Sequence, residues 1–170
     1  IGKDALRENQ TGSYNTVVGS LAMNTLDVTW GSRNTAIGYL ALTNNGGNDN
    51  LAIGHEAMRN TTSGSGVAVG GYALDAQTTG YNNTAIGNLA LTSMTTGGRN
   101  VAVGRNSMGA ATTALYNTAV GTFSLQNTTI GSSNVAVGYH ALNLNTEGGA
   151  MTALGVNALH SNTTGTRNIA

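Results

Sequence analysis

The stretch "NTAIGYLAL" at residues 34–42 returns as "NTAIGNLAL" at 83–91 and as "NVAVGYHAL" at 134–142. With the glycine of this motif as an anchor, the copies fall on Gly2, Gly19, Gly38, Gly54, Gly70, Gly87, Gly104, Gly121, Gly138 and Gly155. The spacings are 17, 19, 16, 16, 17, 17, 17, 17 and 17 residues. A fixed short period marks an architecture of stacked supersecondary units. The chain opens on Ile1-Gly2 and closes on Asn168-Ile169-Ala170, so both ends break inside a copy. This predicts a segment of a longer array, because solenoids carry atypical capping repeats at their ends.

Each column of the alignment has a physical meaning. The residue before the anchor is always aliphatic, and the residue two before is Ala except Val17 in the first complete copy. The residue four after is always Leu or Met, and the one three after is Ala or Ser. Asn usually stands four before, and Gly seven before. Asn-x-Ala-Ile alternates with period two, the spacing of a strand, so the aliphatic residue and the Ala point to opposite faces. The anchor glycine then admits a bend or a positive φ, and the Leu or Met four later turns back inward. The Thr-Thr-Gly segment closes the circuit. Its Gly and the following Asn suit turn positions with φ > 0, and the two extra residues in "LDVTWGS" (26–32) fall where insertions are tolerated.

Seventeen residues are too few for a pair of helices, which takes over thirty. They suffice for one coil of a β-solenoid. The expectation is an all-β, parallel β-solenoid of about ten coils, spanning residues 1–170 as a single repeat array. At about 4.8 Å per coil the rod is roughly 50 Å long, with each column stacked on its own kind. Two large aliphatics per coil make a thin core. The Ala column therefore has two possible placements: the contact with another copy of the chain, or a narrow coil interior. Three before the anchor, the last copies alternate Thr84, Val101, Thr118, Val135, Thr152, Ile169, a 34-residue super-period with no evident function.

These motifs resemble the Asn-Ser-Val-Ala-Ile-Gly-x-x-Ser head repeats of YadA-like trimeric autotransporter adhesins. Similar Ala-Ile-Gly repeats with Thr-Thr-Gly loops occur in phage tail fibres and bacterial surface-fibre proteins. The resemblance runs in register through the whole chain. It implies a left-handed β-roll, three chains side by side, and display on the outside of a cell or virion. The loops here are longer than in many adhesin heads, and Thr often replaces the family's Ser or Val. No coiled-coil stalk, anchor or chaperone segment lies in these residues.

Composition excludes several functions. Charged residues are 8% of the chain against roughly 25% in typical domains, and the net charge is zero. A nucleic-acid surface needs a basic stripe, and seven scattered Lys and Arg do not provide one. No apolar run reaches the 18 residues of a membrane span. With no Cys there are no disulfides or thiolate metal sites.

No catalytic, cofactor or metal site is expected. "GSGVAVGG" (64–71) has the look of a phosphate loop but lacks the Lys-Ser/Thr, and Gly70 is an anchor glycine. His55, His140 and His160 have no Cys or paired carboxylate at ligand spacing. The sequons at Asn9, Asn60, Asn82, Asn127 and Asn162 fit turn chemistry in an Asn- and Thr-rich chain. Six tyrosines (Tyr14, Tyr39, Tyr72, Tyr81, Tyr116, Tyr139) could stack on sugars, but they occupy several columns. The leading expectation is a rod segment of an extracellular homotrimeric fibre, adhesive through a host-cell, matrix or glycan receptor, with no nucleic acid partner and no membrane insertion. The alternative is an ice-binding β-solenoid with threonine ladders, interrupted here by Leu51, Val67, Val101 and Val135. An enzyme is the weakest reading, because it needs clustered carboxylates or a His in a groove.

Overall fold

A computed structural model describes residues 1–24, 31–44 and 47–170. The chain is all-β: among the described residues there is no helix, and nine short strands form one parallel sheet. They are β1 (Thr16–Val18), β2 (Thr35–Ile37), β3 (Leu51–Ile53), β4 (Gly66–Val69), β5 (Asn83–Ile86), β6 (Val101–Val103), β7 (Thr118–Val120), β8 (Val135–Val137) and β9 (Thr152–Leu154). Each pairs with the next in chain order, which winds the backbone into a β-solenoid of about eight turns. The first copy holds only Ile1 ahead of its glycine and forms no strand, although the Ile1 amino group still donates to Val17 O at 2.8 Å. The insertion expected within residues 26–32 lies largely outside the described residues.

The register places every column on itself, as the period requires: Ala36 opposite Ala52, Ile37 opposite Ile53, Ala102 opposite Ala119. All eight alanines of the strands are fully buried. They face the alanines and serines three after the anchor and the Leu/Met column four after it, also fully buried from Met23 to Leu142. Small opposite large fills a narrow flattened coil, so the Ala column is interior and does not form an outer contact. The aliphatic residue before the anchor is the one that points outward. The coil therefore buries one large aliphatic from these columns and not the two expected. A further interior column, seven after the anchor, mixes Thr61, Gln77, Met94, Ala111, Thr128 and Asn145.

The anchor glycines all adopt φ between 132° and 139°. The residues two and four after them, and most of those five before, are left-handed with φ of 44–62° although they carry side chains. This alternation keeps peptide groups pointing along the rod, so ladder bonds continue around the corner: Leu91 N–H donates to Ser107 O at 3.1 Å and Leu89 N–H to Gly71 O at 3.0 Å. The loop Gly and the Asn column, expected to be left-handed, are not. Gly47 is needed for close approach, since a Cβ there would lie 2.0 Å from Gly64 O.

The asparagines instead form an internal ladder. Asn100 Nδ2 donates to Ala114 O at 2.8 Å and to Asn83 Oδ1 at 3.1 Å, and its Oδ1 accepts the Asn117 N–H at 3.0 Å. Asn117 repeats all three bonds one coil on, and one coil farther Asn134 donates to Gly148 O and accepts the Met151 N–H. The ladder satisfies backbone groups of the loop that the sheet does not reach. A second ladder runs through the loops, where Thr78, Thr95, Thr112 and Thr129 each donate Oγ1–H to the carbonyl of the corresponding Thr in the next coil at 3.1–3.3 Å.

Candidate interaction surface

Because Ala faces inward, the flanking residues of each strand face out. The outer face of the sheet carries two columns, Thr, Val or Leu three before the anchor and Val, Ile or Leu one before it, with no charged residue in either. Nine strands at about 4.8 Å and a width of three residues give a stripe of about 40 by 10 Å, roughly 400 Å². An uncharged face of outward Val, Ile and Leu interspersed with Thr, regular over nine coils, is the candidate interaction surface. Its members are partly open: Ile37 is 38% exposed and Ile86 41%.

The corners beside this face carry rings. His55 lies between Tyr39 and Tyr72, with ring centroids 5.3 and 5.1 Å away. Farther along, Phe123, Tyr139, His140 and His160 form a second cluster, with His140 stacked on His160 at 5.7 Å and Arg105 over Phe123 at 5.3 Å. On the loop side, Arg99 sits between the rings of Tyr81 and Tyr116 and donates to the Tyr116 hydroxyl. The three histidines thus have ring neighbours that sequence spacing did not reveal, because residues in adjacent coils touch across 16 to 20 positions. Among the described residues, no group of three or more His, Cys, Asp or Glu can hold a metal.

Residues 64–71 form β4 and its anchor corner, with Gly70 at φ 136°. An open cleft of about 440 Å³ lies beside it, lined by Asp49, Ser65, Gly66 and Asn82 among others, where Gly66 replaces the ladder asparagine. Asp49 there is held by a two-pronged contact from Arg33 at 2.7 and 2.8 Å. Several sequon asparagines serve the loops: the Asn9 amide bonds Gly12 in both directions at 2.9 Å, and Asn60 and Asn127 donate to the carbonyls of Asp75 and Asn143.

One charged cluster is partly buried. Arg59 bridges Glu56 at 2.6 Å and Asp75 at 3.2 Å. Burial pushes the Asp75 carboxyl above its ordinary range, Arg59 opposes this and Glu56 adds to it. A folded-state pKa above the unfolded value means that ionised Asp75 costs stability, and the cost sets in as pH rises through the carboxylate range. Asp75→Asn is expected to leave the denaturation midpoint unchanged near pH 3 and to raise it slightly at pH 7; urea titrations at the two pH values check this.

Comparison with family models, with curated proteins and with solved structures gives no match.

Proposed function

We propose that the chain is a rod segment of an extracellular fibre, in which three copies lie side by side with the outer faces of their sheets turned to a common axis. The observation that carries this is the uncharged apolar stripe on the outside of a coil whose interior is already filled by its own Ala, Leu and Met. The left-handed winding, the number three and the adhesive role come from the resemblance to YadA-like heads. Packing the stripe against copies of itself leaves the ring-rich corners and loops outside. There a host-cell, matrix or glycan receptor is met many times along a fibre, and weak contacts add to tight attachment. The function is structural and adhesive, not catalytic.

Light scattering on the refolded segment tests the reading. The native chain is expected at three times the monomer mass. Ile86→Lys with Val120→Lys places like charges from three chains around the axis and is expected to give a monomer with unchanged strand signal in circular dichroism. A native chain that is monomeric and folded would overturn the proposal. The ice-binding alternative has less support, because the outward threonine column is interrupted by Leu51, Val67, Val101 and Val135 and so presents no continuous hydroxyl array. Thermal hysteresis by the native segment would restore it.

A further inference from the structure

The super-period that alternates Thr84, Val101, Thr118, Val135 and Thr152 lies on the outer face of the sheet, one residue per coil. Two properties of that face alternate with it. The first is relief. In Thr rows the larger side chain one before the anchor protrudes, with Ile86 41% and Val120 36% exposed; in Val rows the protruding residue is the one three before it, Val101 at 36% and Val135 at 40%. The ridge therefore steps from side to side with each coil. The second is hydrogen bonding. The hydroxyls of Thr84, Thr118 and Thr152 have no partner among the described residues, whereas the loop threonines spend theirs on the next coil. Upstream the rows are Thr16, Thr35, Leu51 and Val67 and do not alternate.

We infer that this two-coil alternation sets the axial register between side-by-side copies. The inference rests on the trimeric rod proposed above. In a parallel assembly with rotational symmetry, each coil level brings the same residue of every copy to the axis. At Thr levels the hydroxyls, each donor and acceptor, bond one another in a closed ring; at Val levels the apolar side chains pack. Over Thr84, Thr118 and Thr152, a slip of one coil, about 4.8 Å, sets each hydroxyl against a valine or Ile169 and leaves it buried without a partner. It also sets ridge on ridge. A slip of two coils restores the chemistry but loses the overlap of two rows. A uniform face, all Val, would distinguish these registers only by overlap. A polar residue at a single position of an apolar seam fixes register in coiled coils by the same means.

Disulfide mapping tests this on a chain that has no cysteine of its own. Chains carrying Val101→Cys and chains carrying Thr118→Cys are mixed, refolded together and oxidised. Cleavage at Arg99 and Arg105 separates the two positions onto different peptides. In register, like pairs with like, and same-position disulfides are expected to exceed mixed ones by at least about tenfold. In a background of Thr84→Val and Thr152→Val that ratio is expected to fall at least threefold, while light scattering still shows a trimer. Mixed disulfides as abundant as same-position ones in the first pair, or a ratio unmoved by the Val background, would overturn the register inference and leave the trimer standing. A monomer in light scattering would overturn both.

Discussion

Gly104→Ala is expected to destroy the middle of the rod, while the same change at Gly155 is expected to be mild. The two glycines share nearly the same backbone, with φ of 132° and 135°. They differ in what lies above. A Cβ on Gly104 would sit 2.6 Å from the carbonyl carbon and oxygen of Gly121 and 2.9 Å from Thr122 N, whereas a Cβ on Gly155 meets nothing within 4 Å. The unfavourable φ costs about 1–3 kcal/mol at either site. The overlap at Gly104 is with the backbone of the next coil, and backbone cannot swing aside as a side chain can. Relief requires this coil to part from the next, which breaks the bond from Gly121 N–H to Val103 O at 2.7 Å. A loss of at least about 3 kcal/mol is expected, against a total of about 5–15 for a domain, and it should spread to neighbouring coils because each depends on the next. Urea unfolding followed by circular dichroism, at one fixed chain concentration, compares the two variants. Equal losses would mean that the backbone angle alone decides and that the close stacking of anchors contributes nothing.

That anchor column was legible because its cause is local. A glycine at a fixed distance after a period-two stretch can be read without knowing what stacks on it. The sheet, its parallel register and the inward Leu/Met column followed in the same way. The placement of the Ala column did not, because alternation shows that Ala36 and Ile37 part company but not which of them goes inside. The deciding fact is the cross-section of the coil, where Ala faces Leu and Met from the opposite wall. The Asn column was misread as turn chemistry although a signal was present. Asn34 immediately precedes β2, two residues before Ala36, and is buried on the same inner side. The column also keeps its distance from the anchor in copies of 16, 17 and 19 residues, whereas a loop residue would drift with loop length. The threonine ladder and the ring clusters depend on contacts between coils. Single columns do not orient those side chains, so they were not legible. The outer face was visible as a column with a super-period, but its meaning required knowing that it faces out.

The asparagine ladder carries the other large expected effect, and the protein contains its own control. Asn100→Gly removes the acceptor of the Asn117 N–H and the donors to Ala114 O and Asn83 Oδ1, all of them buried. Asn83 Oδ1 keeps the Asn100 N–H, so two buried groups, the Asn117 N–H and Ala114 O, lose their partner; at about 1–3 kcal/mol for each, a loss of about 2–6 kcal/mol is expected in urea unfolding. Yet Gly66 stands naturally in this column. The coil around it is adapted: β4 and β5 each gain a residue, so that Gly66 pairs with Asn83, and Gln77 Oε1 accepts from Asn83 Nδ2 at 2.9 Å in place of the missing asparagine oxygen. Gln77 lies seven after its anchor, and the equivalent position in the coil of Asn100 is Ala111. Ala111→Gln alone buries an amide with no free partner and is expected to destabilise. Together with Asn100→Gly it offers Asn117 the acceptor that Gln77 gives Asn83, and the pair is expected to recover about 1–2 kcal/mol relative to the sum of the single changes. Additive losses in that double-mutant cycle would mean that the lengthened strand pair, and not the glutamine, is what lets the rod tolerate Gly66.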